Sequence, residues 1–436
     1  MQYILIFLLL FGANCSAQKR PNFIIIYVDD LGYGDVGMNG NPNIRTPNLD
    51  RMALEGMRFS NYYSASPACT ASRYALLTGK YPSRAGFRWV LNPQDTIGIH
   101  PKEQTVAELL HNEGYRTAMF GKWHLGSTKK DYLPVFNGFE EYLGLPYSND
   151  MIPPKYPDIA LLDGVDTVEM NPDQAQLTRI YTERAIAFLE KNGKSPFFIY
   201  LPYAMPHTPL FASSAFSGKS RRGLFGDVVE ELDYYIGKLR DYLVKKGLDK
   251  NTYVVFTSDN GPWLTQYDRG GSAGLFRDGK GSTWEGGVRV PFILWGHKDL
   301  KKGTVVDEVF TALDMLPTIG ALSKSSVPKN SIDGVDLRNL WNGEGKGRDV
   351  FYYFGIDHQL MAVRKGAWKL HIKTYSQLGI SYFDTTLPLL FNLDEDPSEK
   401  YNLASKNPDI VDELGELIRR KKEEVDQTGS FWDKSP

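Results

Sequence analysis

The chain has 436 residues, 50 Lys and Arg against 52 Asp and Glu, a formal net charge of −2 and 42% hydrophobic residues. This ordinary globular balance excludes a disordered chain, a collagen-like repeat and a strongly basic nucleic-acid binder, so any anion site must rest on a local cluster of cations. Only two cysteines occur, Cys15 and Cys69, which excludes a disulfide scaffold and a multi-cysteine zinc site.

Residues 1–17 read as a secretory leader. An apolar run from Tyr3 to Ala13 ends in small residues at Ser16 and Ala17, although no Lys or Arg precedes it. Two other readings of the stretch are a buried first strand and a lipid anchor at Cys15, where Asn14 occupies the place of the usual small residue. No later run approaches the ~20 apolar residues of a membrane span. The expectation is an exported protein, periplasmic or extracellular, with no transmembrane segment and one remaining thiol, Cys69.

Runs of β-branched and aromatic residues predict buried strands at Phe23–Val28, Arg116–Phe120, Phe197–Leu201, Tyr253–Thr257 and Val290–Trp295. Between them, helical patterns cover Thr105–His111, Gln174–Lys191 and Leu224–Lys245. In the last, Val228, Leu232, Ile236, Leu239 and Leu243 recur at three- and four-residue spacings. Strands alternating with helices predict an α/β fold, a large mainly parallel sheet sandwiched by helices. The Gly-, Pro- and Asn-rich connections Gly32–Pro47, Tyr147–Pro172 and Asp268–Gly287 are too long for mere linkers.

After about residue 345 the texture changes. Short strands at Val350–Phe354, Met361–Arg364 and Trp368–Ile372 are followed by a helix over Asp409–Gln427, which Pro408 introduces. These predict a smaller C-terminal α+β subdomain with an antiparallel sheet. The expected division is a leader over 1–17, a main domain over 18–344 and this subdomain over 345–436.

Polar residues gather where the strands end. Phe23–Val28 runs into Asp29-Asp30, Arg116–Phe120 into Gly121-Lys122-Trp123-His124, and Tyr253–Thr257 into Ser258-Asp259-Asn260-Gly261. Phe197–Leu201 is followed by Pro206-His207. In open α/β sheets ligands bind beyond the carboxyl ends of the strands, so parallel strands would bring these residues to one edge. Asp29, Asp30, Asp259 and Asn260 offer only oxygen donors, a set that suits Ca²⁺ or Mg²⁺ better than zinc. The alternative for each is a solvated turn. Lys122, His124, His207, Arg73 and Lys280 are candidate anion contacts and proton carriers. His100, His111, His297, His358 and His371 read as ordinary packed or exposed histidines.

The segment Ser66-Pro67-Ala68-Cys69-Thr70-Ala71-Ser72-Arg73, continued by Leu76-Leu77-Thr78-Gly79-Lys80, resembles the signature of type I sulfatases of the arylsulfatase A kind. Ala71 takes the variant of a commoner Pro position. The resemblance extends over nearly the whole mature chain. It includes Asn22–Gly34, Gly121–Gly126, Met205–Pro209, Thr257–Gly261, Gly279–Pro291 and, in the C-terminal part, Leu390–Pro397 with Asn402-Leu403-Ala404.

The resemblance implies an alkaline-phosphatase-like fold and hydrolysis of sulfate esters. It implies that a maturation enzyme oxidises Cys69 to Cα-formylglycine, whose hydrate is the nucleophile. Asp29, Asp30, Asp259 and Asn260, together with the modified Cys69, would bind one Ca²⁺. One hydroxyl of the hydrate would attack sulfur with Asp259 as base, and the other, deprotonated by His124, would release sulfate by carbon–oxygen cleavage. Arg73 and Lys122 would orient the hydrate, while His207 and Lys280 would bind sulfate and one of them protonate the leaving oxygen.

The sequence leaves two other functions open. A related metal phosphatase or phosphodiesterase would use Ser or Thr and two zinc ions, whereas here Cys69 holds the nucleophile position and Asn260 follows Asp259. An exported glycan-binding protein without chemistry would lack some of these residues. The loops Arg84–Ile99, Tyr147–Asp166 and Phe211–Arg222 are expected to shape the leaving-group pocket, with Arg88, Trp89, Tyr147, Arg221 and Arg222 as sugar contacts. Export together with these aromatic and polar loops points to a sulfated carbohydrate substrate.

Overall fold

The computed structural model describes residues 20–86, 90–328, 332–383 and 386–432. The leader with Cys15, and Arg88 and Trp89, lie outside the described residues. Among those residues a ten-stranded sheet forms the centre. Its middle is the parallel set Thr252–Ser258, Asn22–Val28, Phe197–Pro202, Arg116–Phe120 and Glu141–Gly144, in that spatial order. All four strands expected to share a direction do so. Phe292–Gly296 joins beside Thr252–Ser258 but runs antiparallel to it.

The central strand shows why the sheet is so apolar. Phe23, Ile25 and Tyr27 enter one core while Ile24, Ile26 and Val28 enter the other, so the period of two is apolar on both faces. Each such side chain contributes roughly 1.5–3 kcal/mol by leaving water. Helices Cys69–Thr78, Val106–Asn112 and Met315–Ser323 pack into the first core. Helices Pro47–Glu55, Leu177–Asn192 and Gly223–Lys246 cover the second.

Several local features differ from expectation. Cys69–Thr78 is a helix buried at every position, so it has no polar face to betray its period. The long connection after Tyr147 contains a hairpin, Ala160–Asp163 with Asp166–Met170, at the sheet edge. The connection before Gly287 ends in the one-turn helix Glu285–Val288.

Towards the C-terminus, Val350–Phe354, Leu360–Lys365, Trp368–His371 and Leu389–Asn392 form an antiparallel four-stranded sheet. One face, through Phe351, Tyr353 and Ala362, joins the first core of the main domain. The other packs Val363, Leu370 and Leu390 against Leu414 and Ile418 of helix Pro408–Thr428. The subdomain is thereby welded to the ten-stranded sheet rather than tethered to it.

Candidate active site

Four of the segments after the parallel strands meet at the carboxyl edge of the sheet. Asp29 and Asp30 directly follow the central strand, and Asp30 holds φ 63°, a left-handed conformation that ordinary side chains avoid. Its amide donates to Asp259 Oδ1 at 3.1 Å, and Asn260 Nδ2 donates to Asp30 Oδ1 at 2.7 Å. The two acidic turns are therefore locked to each other across adjacent strands.

Cys69 opens its helix behind an extended Ala68. The approach is fixed by Ser66, whose carbonyl accepts from the hydroxyls of Ser64 at 3.0 Å and Ser72 at 2.6 Å. Lys122 and His124 follow strand Arg116–Phe120. Gly121 makes that turn possible: its φ is 138°, and a Cβ there would stand 1.9 Å from the Pro202 carbonyl oxygen.

The charges are arranged in pairs. Arg73 Nη2 lies 2.9 Å from Asp259 Oδ2 and 3.2 Å from Asp29 Oδ2, and its Nη1 donates to the Lys122 carbonyl at 3.0 Å. Lys122 Nζ pairs with Asp29 Oδ2 and donates to Ser148 Oγ at 3.0 Å. Lys280 Nζ sits 2.8 Å from Asp30 Oδ2, and His207 Nε2 3.6 Å from the same oxygen. All of these side chains are buried.

Burial and pairing push the titrating groups apart. Burial would raise the Asp29 carboxyl, but Lys122 and Arg73 outweigh it and hold that group far below the usual range. Asp259 goes the other way, raised by burial and by Asp29 beside it. The Cys69 thiol is pushed up to about 11 by burial, against which Lys122 and Lys280 pull only partly. A thiol in that state is neutral and a poor nucleophile near pH 7.

Burial, with Lys122 and Arg73 adding to it, also lowers His124 well below its ordinary value, so its ring is neutral. His124 Nε2 lies 2.9 Å from the Leu91 carbonyl, an acceptor only, which puts the ring proton on Nε2. Nδ1, buried and without a hydrogen-bond partner, is then free to take a proton. His207 falls to about 4 through burial and Lys280, while its Nδ1 donates to the Thr208 carbonyl at 2.5 Å.

The donors fit a hard cation. Ligand atoms of Asp29, Cys69 and Asp259 lie within 4.8 Å of one another, as do those of Asp29, Asp30 and His207. Asp29 Oδ1 and Asn260 Oδ1 are buried without a hydrogen-bond partner. Orphaned oxygens of this kind are costly unless something positive completes them, and of the clustered residues Asp29, Asp30, Asp259 and Asn260 offer oxygen ligands alone, a set that suits Ca²⁺.

Every candidate catalytic and metal residue named from the sequence thus falls in one buried cluster. The expected sugar contacts are treated differently. Tyr147 is buried with its hydroxyl on the Asp158 carbonyl, and Arg222 is engaged by the carbonyls of Asp268 and Gly270, whereas Arg221 is exposed. Trp263 was missed. Its half-buried ring lies 5.3 Å from the His207 ring and 4.3 Å from Lys280 Nζ. The available signal was an aromatic residue directly after Asn260-Gly261-Pro262. Tyr27 beneath the Arg73 guanidinium, at 5.5 Å, carried no sequence signal beyond its strand.

Comparison with known proteins shows the family. Residues 21–325 match the Sulfatase family model, and residues 346–435 match the model for the C-terminal region of aryl-sulfatase. The chain belongs to the sulfatase family and is a sulfuric ester hydrolase. It is 37% identical to arylsulfatase A of Homo sapiens over 94% of this chain and 89% of that one. Identity to N-acetylgalactosamine-6-sulfatase of Mus musculus is 36%, over 92% of this chain and 85% of the other. A solved structure from work on glycosaminoglycan metabolism by Bacteroides thetaiotaomicron superposes with a TM-score of 0.83 at 27% identity, over 93% of this chain and 100% of that one.

Proposed function

We propose that this sulfatase removes sulfate from carbohydrates, using a formylglycine made from Cys69 by a maturation enzyme and one Ca²⁺ held by Asp29, Asp30, Asp259 and Asn260. The observation that carries the reading is the convergence of Cys69 with three carboxylates and three cationic side chains in one buried cluster. The oxidised and hydrated Cys69 would supply a hydroxyl nucleophile where the neutral thiol is inert, and the ion would supply positive charge for the sulfuryl oxygens.

The chain's own residues divide the remaining work. Lys280 and His207 bind the sulfate oxygens, His207 through Nε2 of the imidazolium because Nδ1 already donates to Thr208, and one of them hands a proton to the leaving oxygen. Burial would lower the Lys280 amine, but Asp30, the Cys69 side chain and Asp29 together outweigh it and keep that amine charged. Arg73 and Lys122 orient the side chain at position 69 and offset negative charge that develops beside it. Asp259, whose carboxyl is raised, accepts a proton on the attacking side. His124 accepts the second proton at Nδ1. Ser148 and the Leu91 carbonyl hold Lys122 and His124 in register.

Three observations support a sugar as the leaving group. Trp263 offers an aromatic face next to His207 and Lys280. One relative is named for N-acetylgalactosamine-6-sulfate chemistry, and one structural neighbour comes from glycosaminoglycan metabolism. In this reading the leader over 1–17 exports the chain to the periplasm or beyond, 18–344 is the catalytic domain and 345–436 its C-terminal subdomain. No helix of the described residues is long and apolar enough to cross a membrane. The test is a panel of sulfated monosaccharides, sulfated oligosaccharides and aryl sulfates. Turnover of sulfated sugars is expected, and activity on small aryl sulfates alone would overturn the carbohydrate reading.

A further inference from the structure

The loop that carries Lys280 is anchored at both ends. At its start, the amide of Lys280 donates to the Pro262 carbonyl at 2.8 Å and that of Gly281 to the Pro67 carbonyl at 2.9 Å. At its far end, the anchors come from the C-terminal subdomain. Lys369, in strand Trp368–His371, places Nζ 2.8 Å from the Thr283 carbonyl, 2.8 Å from Glu285 Oε1 and 2.9 Å from Glu399 Oε1. An ammonium has three protons, and each has an acceptor here.

Glu399 completes the arrangement. Its Oε2 accepts from the Glu285 amide at 2.7 Å, and its Oε1 lies 2.8 Å from His371 Nε2. Thr283 and Glu285 flank Trp284, so the pair grips the main chain on both sides of that buried tryptophan. The grip begins three residues after Lys280. Lys369, Glu399 and Glu285 are all fully buried. Glu399 also holds φ 54°, a conformation that side chains resist and that persists only when its surroundings demand it.

A buried ion cluster is a poor device for stability, because well-packed apolar residues of similar volume generally do as well. It is a good device for fixing geometry. We propose that Lys369 and Glu399 are positioning residues for the sulfatase reaction, holding the Lys280 loop so that its ammonium stays against Asp30 and the bound sulfate. This rests on the sulfate-binding role given to Lys280 above. It also gives the C-terminal landmark Leu390–Pro397 a purpose, since the turn it forms presents Glu399. In that turn Asp396 Oδ2 accepts from the amides of Lys400 at 2.7 Å and Tyr401 at 2.9 Å.

A double-mutant cycle tests the proposal, with an aryl sulfate or the best sugar substrate for rates and inorganic sulfate as product inhibitor. Lys369→Met is made in the parent and in Lys280→Ala, and Glu399→Gln likewise; the second variant keeps the side-chain volume and serves if the first does not fold. In the parent, kcat/KM is expected to fall about 100-fold for Lys369→Met and about tenfold for Glu399→Gln, with weaker sulfate inhibition. In Lys280→Ala each loss should shrink to about threefold or less, because the residue acted upon is gone. Equal losses in both backgrounds would overturn the positioning role and leave a general effect on the fold. Parent-like activity of Lys280→Ala alone would instead overturn the reading of Lys280 as sulfate ligand, and with it the purpose of the clamp.

Discussion

Gly281 donates its amide to the carbonyl of Pro67 at 2.9 Å, which ties the loop bearing Lys280 to the segment leading into Cys69. These residues are 214 positions apart in sequence, counting from 67 to 281. The bond couples, through main chain, the two segments that carry the nucleophile and the sulfate-binding lysine in the proposed function. The same economy runs through Arg73, which touches Asp29, Asp259 and the Lys122 carbonyl with one guanidinium.

That guanidinium yields the first prediction. Arg73→Lys keeps the charge but loses the planar fork needed for three simultaneous contacts, so kcat/KM should drop by about 100-fold while the protein still folds. Arg73→Ala leaves two buried carboxylates short of a partner and should cost about 3–5 kcal/mol in denaturant unfolding. Activity of Arg73→Lys close to that of the parent would contradict this assignment.

A second prediction concerns the turn before Lys122. In Gly121→Ala the new methyl would meet the Pro202 carbonyl at 1.9 Å, in a backbone conformation that alanine resists. Urea unfolding should show a loss of about 3 kcal/mol or a failure to accumulate folded protein. A loss below about 0.5 kcal/mol, the scale of an ordinary surface substitution, would show that the turn relaxes freely.

Removal of the proposed cation is the third. A metal bound only by the folded state stabilises it by about 2.7 kcal/mol when present at 100 times its dissociation constant. Chelation followed by dialysis should lower both the melting temperature and the rate, and Ca²⁺ should restore both. Unchanged melting in protein shown by elemental analysis to be free of divalent metal would count against the all-oxygen site.

The fourth prediction uses His358, in the turn joining Val350–Phe354 to Leu360–Lys365. Its ring nitrogens are buried without partners, and burial lowers the group from 6.5 to about 4. The unfolded chain therefore takes up this proton first as pH falls, so its contribution to stability is intact above 6.5 and lost on the way down to 4. The residue as a whole is half-buried, so the effect is discounted to about 1–2 kcal/mol. His358→Gln should flatten the dependence of melting temperature on pH across that window. An unchanged slope would assign the acid sensitivity to other buried histidines such as His371.

Much of the sheet was legible because a strand buried on both faces must be apolar throughout, as Phe23–Val28 is. The site was legible for a related reason: Asp29-Asp30 and Asp259-Asn260 are polar pairs set abruptly against such runs. Elements without that contrast were lost. Cys69–Thr78 is buried all round, and Asp166–Met170 is exposed at every position, so neither shows the one-sided pattern on which periodicity depends. Lys369, His371 and Glu399 were unreadable for another reason. Lys369 and Glu399 reach Thr283 and Glu285, more than 80 residues away, His371 meets Glu399 across 28 residues, and nothing local distinguishes a buried lysine with three acceptors from a solvated one.

The central claim is that Cys69 works only after conversion to an aldehyde, and the mass of its peptide tests this most directly. Specific activity and the mass of the Cys69 peptide should be measured in the same preparations, made with and without a formylglycine-generating enzyme. Activity is expected to scale with the fraction of peptide that is lighter than the thiol form, and to vanish in Cys69→Ser. Full turnover from protein whose Cys69 is entirely unmodified would contradict the account.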